Sequence, residues 1–372
     1  MQLLVVSSAP FIYKKNAVFA YSPYVDELGL WQKNADQIMF CCPTWKSENG
    51  LLVSKIEFDI KTHFRLIDFN LNTFLNVVKA IGFCCYNFFV LFKAMFQADH
   101  LHIRCPGNIG LLASFVQLFF PFKPKTVKYA GNWDPKSNQP WSYRMQKWIL
   151  SNTLLSHNIQ ILVYGEWDRM TKNCKPFFTA SYKESDKVAL EKISFNQTVQ
   201  FLFVGMLVSG KNPMYAIQLI ESLYQKGFNV TLSLYGEGNQ RAVLEQYVEE
   251  KKLGSIIFFK GNQEKEVVRL AYQNAHFLIL PSESEGWPKV VAEAMFWGCI
   301  PIASKVSCVP YMLDFGKRGC ILTFEHQKDT DKLISFLDNE NDFQSMRNLA
   351  SAWSRNYTID VFENQIKTLL LS

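Results

Sequence analysis

The chain has nine cysteines but no C-x-x-C pair; the count is odd, and Cys41–Cys42 and Cys84–Cys85 are adjacent. That pattern excludes a disulfide framework and a zinc module of ordinary spacing, and it fits a reducing compartment. No self-similarity with a period of about 20–50 residues and no low-complexity tract occurs, which excludes a solenoid or a linker-rich assembly. The opening stretch MQLLVVSSAP lacks a basic n-region and reads as a first β-strand rather than a signal peptide. Long uninterrupted apolar runs are also missing. The best candidate, Phe74–Phe96, contains Asn76, Lys79, Asn87 and Lys93. A span needs about 20 mainly apolar residues, so this stretch is expected to be a buried or surface-lying helix.

What is present is an ordinary globular balance over 372 residues, with 48% hydrophobic and 19% charged residues. Domains run to roughly 100–200 residues, so two are expected. Aromatics reach 15%, with 31 Phe, so several apolar faces should be Phe-rich and part of the surplus is available to a membrane. Residues 1–196 carry 22 Lys+Arg against 14 Asp+Glu, and residues 197–372 carry 17 against 19. The basic first half suggests an anionic partner there, a membrane surface or a phosphate-bearing molecule, or simply an uneven solvated surface.

Short apolar runs alternate with helical patterns. Strands are predicted at Leu3–Ser7, Gln37–Cys41, Leu52–Phe58, His100–Arg104, Thr126–Ala130 and Ile159–Tyr164, with helices near 70–96, 108–119 and 140–156. In the second half strands are predicted at Gln200–Val204, Thr231–Tyr235, Ile256–Phe259, His276–Leu280 and Ile300–Ser304, with helices between them. This βαβ rhythm implies parallel sheets covered on both faces. The polar stretch 181–199 is the expected connection between a domain over 1–190 and a second over 197–355. A last amphipathic helix within 356–372 is free to pack back on the first domain.

The most informative segment is HFLILPSESEGWPKVVAEAMFWGCIPIAS, residues 276–304. It reads as one βαβ unit: a strand to Leu280, a polar loop, Pro288 at the first helical position, Gly298 just past the helix, and a strand from Ile300. In such sheets ligands sit beyond the carboxyl ends of the strands. That places Glu283, Glu285 and Gly286 at a site. The helix start offers free N–H groups and a positive dipole end to a phosphate. A loop carboxylate can accept hydrogen bonds from sugar hydroxyls, and Glu293, eight residues on, can reach a ribose diol. Alone, two Glu at this spacing are ordinary surface charges. A second segment agrees: Asn212 can cap a helix and Pro213 open it, leaving Lys211 beside the sheet's carboxyl edge to meet a leaving diphosphate.

The 276–304 segment resembles the E-x7-E region of glycosyltransferase family 4, through Pro281, Ser282, Glu285, Gly286, Glu293, Ala294, Gly298, Pro301 and Ser304. The resemblance implies a GT-B fold: α/β, two Rossmann-like domains with parallel sheets facing across a cleft. It implies that Glu285 contacts the donor sugar, that Glu293 contacts the ribose, and that backbone N–H groups of Trp287, Lys289 and Val290 meet the diphosphate. Gly205, Leu207 and Lys211 resemble the family's G-R-L…K-G stretch. Tyr235–Gly238 resembles its Y-G-x-G turn, with Gly236 at its centre. Gly261–Asn262 resembles its F-x-G segment near the nucleotide base. Three departures stand out. Met206 replaces a phosphate-binding Arg, for which Lys289 could compensate. Asn212 stands where Gly is common. The GNWDP loop holds Asn132, Trp133 and Asp134 where members often carry a His.

The first domain should take the acceptor. Ser8, Lys14, Lys15 and Asn16 are candidates on its first loop, and Arg104 is a candidate at the end of a strand. His102, on the same face, reads as a core residue. Asn132 and Asp134 either orient the acceptor or simply form a turn.

The function expected is a retaining hexosyltransferase that moves a sugar from a nucleoside-diphosphate donor to a hydroxyl of a lipid-linked or surface polysaccharide acceptor. Domain closure would accompany transfer. Lys211 and the helix start would stabilise the departing diphosphate, so no metal or other cofactor is expected, nor is any Asp-x-Asp site recognised. Nucleic acid is not an expected partner. The expected location is cytoplasmic, with peripheral contact at the inner face of the cell membrane. Two rivals share the fold: a nucleotide-sugar epimerase, and a non-catalytic glycan-binding subunit.

Overall fold

The computed structural model describes residues 1–15, 17–48, 52–69 and 74–371. It divides into two compact units, Met1–Phe177 with Glu363–Ser372, and Phe178–Phe362. The division falls earlier than the 190–197 break read from the sequence. The reason is that the polar connection is anchored to the second unit. Tyr182 packs on Phe296 and Trp297 at ring distances of 5.0 Å. Arg347 donates to the Glu191 carbonyl, and Arg355 to that of Val188 at 2.7 Å.

The first unit is built on β1 (Gln2–Val6), β4 (Gln37–Trp45), β6 (Thr62–Leu66), β7 (His100–Cys105), β8 (Lys125–Tyr129), β9 (Ile159–Tyr164) and β10 (Cys174–Phe177), all parallel. The strand β2 (Phe11–Lys14) joins the end of β4, and β3 (Ala17–Tyr21) and β5 (Val53–Lys55) extend it antiparallel. The first loop after β1, which contains no glycine, is therefore a hairpin in part. Alternating FIYK and AVFAY pair with each other, and Lys15 takes the left-handed turn conformation at φ 51°. Asn16 lies outside the described residues.

Helix α1 (Ser22–Gln32), absent from the sequence reading, follows the hairpin. Helices α2 (Phe74–Gln97), α3 (Asn108–Val116) and α4 (Trp141–Ser151) follow β6, β7 and β8. The side chains of Asn76 and Lys79 are outside the described residues. One side of α2 is committed to the core through Leu91, Ala94 and Met95, each fully buried. On that side Asn87 bridges the Ile67 N–H and carbonyl at 2.9 Å each. The expected strand at Leu52–Phe58 shortens to β5, because a peripheral antiparallel partner of β3 pairs only as far as that short strand reaches.

The second unit is a six-stranded parallel sheet in the order β13-β12-β11-β14-β15-β16. Its strands are β11 (Val199–Val204), β12 (Val230–Tyr235), β13 (Ile257–Gly261), β14 (Phe277–Leu280), β15 (Ile300–Ser304) and β16 (Cys320–Leu322). Helices α5 (Pro213–Gln225), α6 (Arg241–Glu250), α7 (Lys265–Asn274) and α8 (Lys289–Phe296) make the crossovers. The short α9 (Val309–Met312) precedes β16, and α10 (His326–Leu337) and α11 (Glu340–Ser354) follow it. Helix α12 (Ile359–Leu371) ends the chain. The strand runs are almost fully apolar because both faces are covered: Phe201, Phe203, Leu232, Leu234, Phe277 and Ile279 share one core with Leu219, Ile220 and Leu223 of α5. Strand order reverses between β11 and β14. In open parallel sheets a ligand crevice forms beyond the carboxyl ends at that reversal.

Candidate functional site

The loops at the reversal are laced together by backbone bonds. Glu283 N–H donates to the Gly210 carbonyl, Leu207 N–H to Glu237, and Gly205 N–H to Tyr235, each at 2.9 Å. Two glycines permit this closeness. A Cβ on Gly236 (φ 143°) would stand 1.9 Å from the Gly205 carbonyl oxygen, and one on Gly238 would stand 2.2 Å from that of Leu207. The Y-G-x-G segment is therefore the place where two loop backbones touch.

Lys211 ends a 3-10 turn, Ser209–Lys211, after β11. Its ammonium meets Glu285 Oε1 of the β14–α8 loop at 2.5 Å, with the lysine side chain 25% exposed and the glutamate 9%. The two residues chosen from separate motifs thus form one ion pair, reachable from solvent on the lysine side. Pro213 opens α5 as expected. Asn212 does not cap it with its side chain: it sits at the N-cap in the left-handed conformation (φ 49°), its carbonyl accepting from Tyr215 N–H at 3.1 Å and its N–H donating to the Ser209 carbonyl at 2.9 Å. That left-handed geometry is the one for which glycine is favoured, and Asn tolerates it.

The rest of the loop is held from below. Ser304 Oγ donates to the Ser282 carbonyl, and Ser307 Oγ and Cys308 Sγ engage the Gly286 carbonyl at 3.0 and 3.2 Å. The Trp287 side chain turns into an aromatic cluster with Tyr357 and Trp353, at 5.6 and 6.2 Å. Its indole is thus part of the packing.

Pro288 is the extended N-cap (φ −72°, ψ 93°), and α8 begins one residue later than expected, at Lys289. The N–H groups of Lys289 and Val290 open the helix with no acceptor among the described residues. Such groups and the helix dipole favour an anion. The half-buried Lys289 has no acidic partner among the described residues, and Met206 is 62% exposed beyond β11. Asn262 is exposed after β13.

Glu293 lies in the second turn of α8, where it accepts from Ser181 Oγ at 2.5 Å and from Tyr272 OH at 3.3 Å. Among the described residues nothing joins it directly to Lys211 or Glu285. Burial first, and the Glu293 charge second, push the Tyr182 and Tyr272 phenols upward. The Asp-x-Asp that the sequence reading passed over does occur, at Asp329–Asp331 in α10. Asp329 is fully buried. It accepts from Tyr215 OH at 2.6 Å, Thr323 N–H at 2.9 Å and Phe324 N–H at 3.0 Å. Its oxygens thus tie α10 to α5 and β16. No group of three or more His, Cys, Asp or Glu placed to hold a metal is found among the described residues.

In the first unit the candidate residues are engaged differently. Arg104 Nη1 and Lys128 Nζ each meet one oxygen of Glu27 on α1, at 2.6 Å. The Arg104 guanidinium also lies 4.7 Å over the Tyr24 ring. Burial alone would raise the Glu27 carboxyl, but the two cations outweigh it and hold it well below the usual range. Glu27 and Lys128 were missed. A pair of lysines inside the five-residue strand KTVKY was the available signal, since a charge in a strand buried on both faces needs a partner.

His102 is buried against Trp31 at 3.9 Å and shares Thr126 Oγ1 with His100. Burial lowers both imidazoles, His100 to about 4. Asn132 Oδ1 accepts from Asp134 N–H at 2.9 Å, and Asp134 Oδ1 from Lys136 N–H at 2.8 Å, so both side chains are occupied in turns. Lys14 pairs with Glu48. Ser8 is exposed after β1, beside Gly107, and Lys15 is exposed in the hairpin turn.

Residues 186–355 match the family model described as glycosyl transferases group 1. A GalNAc-alpha-(1->4)-GalNAc-alpha-(1->3)-diNAcBac-PP-undecaprenol alpha-1,4-N-acetyl-D-galactosaminyltransferase of Campylobacter jejuni subsp. jejuni serotype O:2 is 32% identical over 123 residues, 32% of each chain. The chain covers between 31% and 55% of the length of the curated relatives it matches. Among solved structures, Anabaena Alr3699/HepE in complex with UDP aligns over 100% of both chains at a TM-score of 0.69 and 12% identity. The lipopolysaccharide outer core galactosyltransferase WaaB aligns over 100% of this chain and 99% of its own at 0.68 and 14%. These likenesses establish the fold as GT-B, and the match to the glycosyl transferases group 1 model falls within the second unit.

Proposed function

We propose that the protein is a retaining glycosyltransferase that moves a hexose from a nucleoside-diphosphate sugar to a hydroxyl of a lipid-linked or surface polysaccharide acceptor, at the inner face of a membrane. The observation that carries the reading is the Lys211–Glu285 pair at the sheet's reversal, in the loop that leads into the unpaired N–H groups of Lys289 and Val290.

A diphosphate arriving at that edge competes with Glu285 for Lys211. The lysine turns to the phosphate oxygens, and the freed carboxylate accepts hydrogen bonds from the sugar hydroxyls. When the anomeric C–O bond breaks, negative charge grows on the departing phosphate oxygen. Lys211 and the helix amides meet it there. The acceptor hydroxyl attacks the same face, and its proton passes to the leaving phosphate oxygen. Glu293 exchanges Ser181 or Tyr272 for a ribose hydroxyl. In this scheme protein charge does the work of a divalent cation, so chelation by EDTA should leave the rate unchanged. Acceptors of this class are named for relatives: a glycan on PP-undecaprenol for the Campylobacter enzyme and lipopolysaccharide outer core for WaaB.

The test is release of nucleoside diphosphate from a panel of donor sugars, with and without undecaprenyl-linked glycans. The anomeric configuration of the product is assigned by NMR. Acceptor-stimulated release with retained configuration, lowered about 10²–10³-fold in Glu285→Ala, is expected. Acceptor-independent rearrangement of the sugar would instead indicate an epimerase.

A further inference from the structure

Helix α2 is apolar on two sides. Its core side is described above; the other presents Ile81, Cys85, Phe89, Phe92 and Phe96 to solvent, spaced 4, 4, 3 and 4 residues apart, one continuous helical stripe. Ile81, Phe89 and Phe96 are 65%, 72% and 69% exposed. The stripe continues past the helix: Phe119 packs on Phe92 at 5.9 Å and is itself 61% exposed, and Phe122 is 93% exposed. Lys123 ties these parts together. Its ammonium bonds the Phe96 carbonyl at 2.8 Å and lies 5.7 Å over the Phe120 ring. Isolated exposed apolar residues need no explanation, but a joined array of large ones marks an interaction surface.

The charge around this array selects the partner. Residues 74–158 hold nine Lys and Arg against two Asp and no Glu. Three of those cations, Arg104, Lys125 and Lys128, are enclosed, while Lys93, on α2 itself, and Arg144 are exposed. Apolar rings with the exposed cation Lys93 between Phe92 and Phe96 suit the headgroup layer of an anionic bilayer, where a helix lies flat with its rings at the acyl boundary. A second copy on the same surface would oppose cation to cation.

We propose that the outer face of α2, with Phe119 and Phe122, docks the first unit on an anionic lipid membrane. The core side of α2, with Asn87 hydrogen-bonded inside the unit, makes the helix lie on the bilayer rather than cross it. This names a partner surface for the proposed function without depending on it, since vesicle binding is read with no donor or acceptor present.

The test is co-sedimentation of the full chain with vesicles of phosphatidylcholine, alone or containing phosphatidylglycerol. Strong partition to the anionic vesicles is expected, falling with added salt. Lys93→Glu should weaken it roughly fivefold or more, the weight of one basic residue near such a surface. Phe89→Ser with Phe122→Ser should weaken it by more than roughly tenfold, the value of two aromatic rings returned to water. Because these side chains are exposed, thermal unfolding and donor hydrolysis in free solution should stay as in the wild type. Equal binding to neutral vesicles, no binding, or binding indifferent to both sets of substitutions would overturn the proposal. A dimer in light scattering that the Phe substitutions split, without vesicle binding, would assign the face to a second copy instead.

Discussion

Each unit contains a glutamate gripped by basic side chains, and the two arrangements have opposite meanings. In the first unit Glu27 is enclosed between Arg104 and Lys128, each at 2.6 Å, with the Lys128 side chain 1% exposed. In the second, among the described residues, Glu285 pairs with Lys211 alone, 25% exposed, on loops at a sheet reversal. A buried pair with both ions desolvated cannot open without a large penalty. A pair with one accessible member can exchange partners with a charged ligand. Residue type is the same in both; exposure and position on the sheet decide whether the contact is structural or available to a substrate.

The largest effect that would sharpen this contrast is expected from Glu27→Ala. It leaves two cations buried without their anion and should cost about 3–5 kcal/mol of stability, read by denaturant unfolding. Donor binding should be unaffected under native conditions. Acid should act on the same unit. Glu27 titrates lower folded than unfolded, so the stability it contributes is present above its unfolded value near about 4.3 and is lost as pH falls through the folded one. His100, lowered by burial to about 4, also favours the folded state less as pH falls. Its contribution declines from about 6.5, the unfolded value, down to about 4. A pH–stability curve flat from 7 down to about 4 would contradict the His100 assignment, and one that stays flat as pH falls further would contradict that of Glu27.

Next in size are Lys211→Ala and Glu285→Ala. Each should lower nucleoside-diphosphate release about 10²–10³-fold, the scale for removing one group aimed at developing charge. Thermal unfolding should change little, because a partly exposed pair contributes little to stability. A variant that lost stability but kept activity would reverse the contrast drawn here. Gly236→Ala comes third. Its Cβ would collide with the Gly205 carbonyl, and the positive φ alone should cost about 1–3 kcal/mol. The affinity for nucleoside diphosphates should fall with it, as the loop carrying Lys211 shifts.

The smallest effect is expected from Met206→Arg. An added cation at this exposed position should tighten diphosphate binding a few-fold, and more clearly so in a Lys289→Ala background. No gain in either background, by calorimetry, would remove Lys289 as the compensating charge.

Much of the second unit was legible because local signals agreed with one another. Strand Ile300–Ser304 is as read from the sequence, Pro213 opens α5, and Gly298 follows the C-cap of α8 with φ 79°. Lys211 and Glu285 were chosen from different motifs 74 residues apart, and tertiary structure supplied their contact. The partners of Glu293 were not legible, because Ser181 comes from the connection and Tyr272 from α7. In the first unit the Phe11–Lys14 and Ala17–Tyr21 hairpin was hidden by its lysine turn, which lacks the glycine that usually marks one. Arg104 was placed correctly near the end of its strand, but Glu27, its partner from a helix 77 positions earlier, gives no local sign of that role.

The most direct test is calorimetric titration of nucleoside diphosphates and their sugars into the wild type and Lys211→Ala. The account predicts saturable binding to the wild type that weakens at least about tenfold when the lysine is removed, the scale of one charge-assisted hydrogen bond. Equal affinity in the two proteins would contradict it.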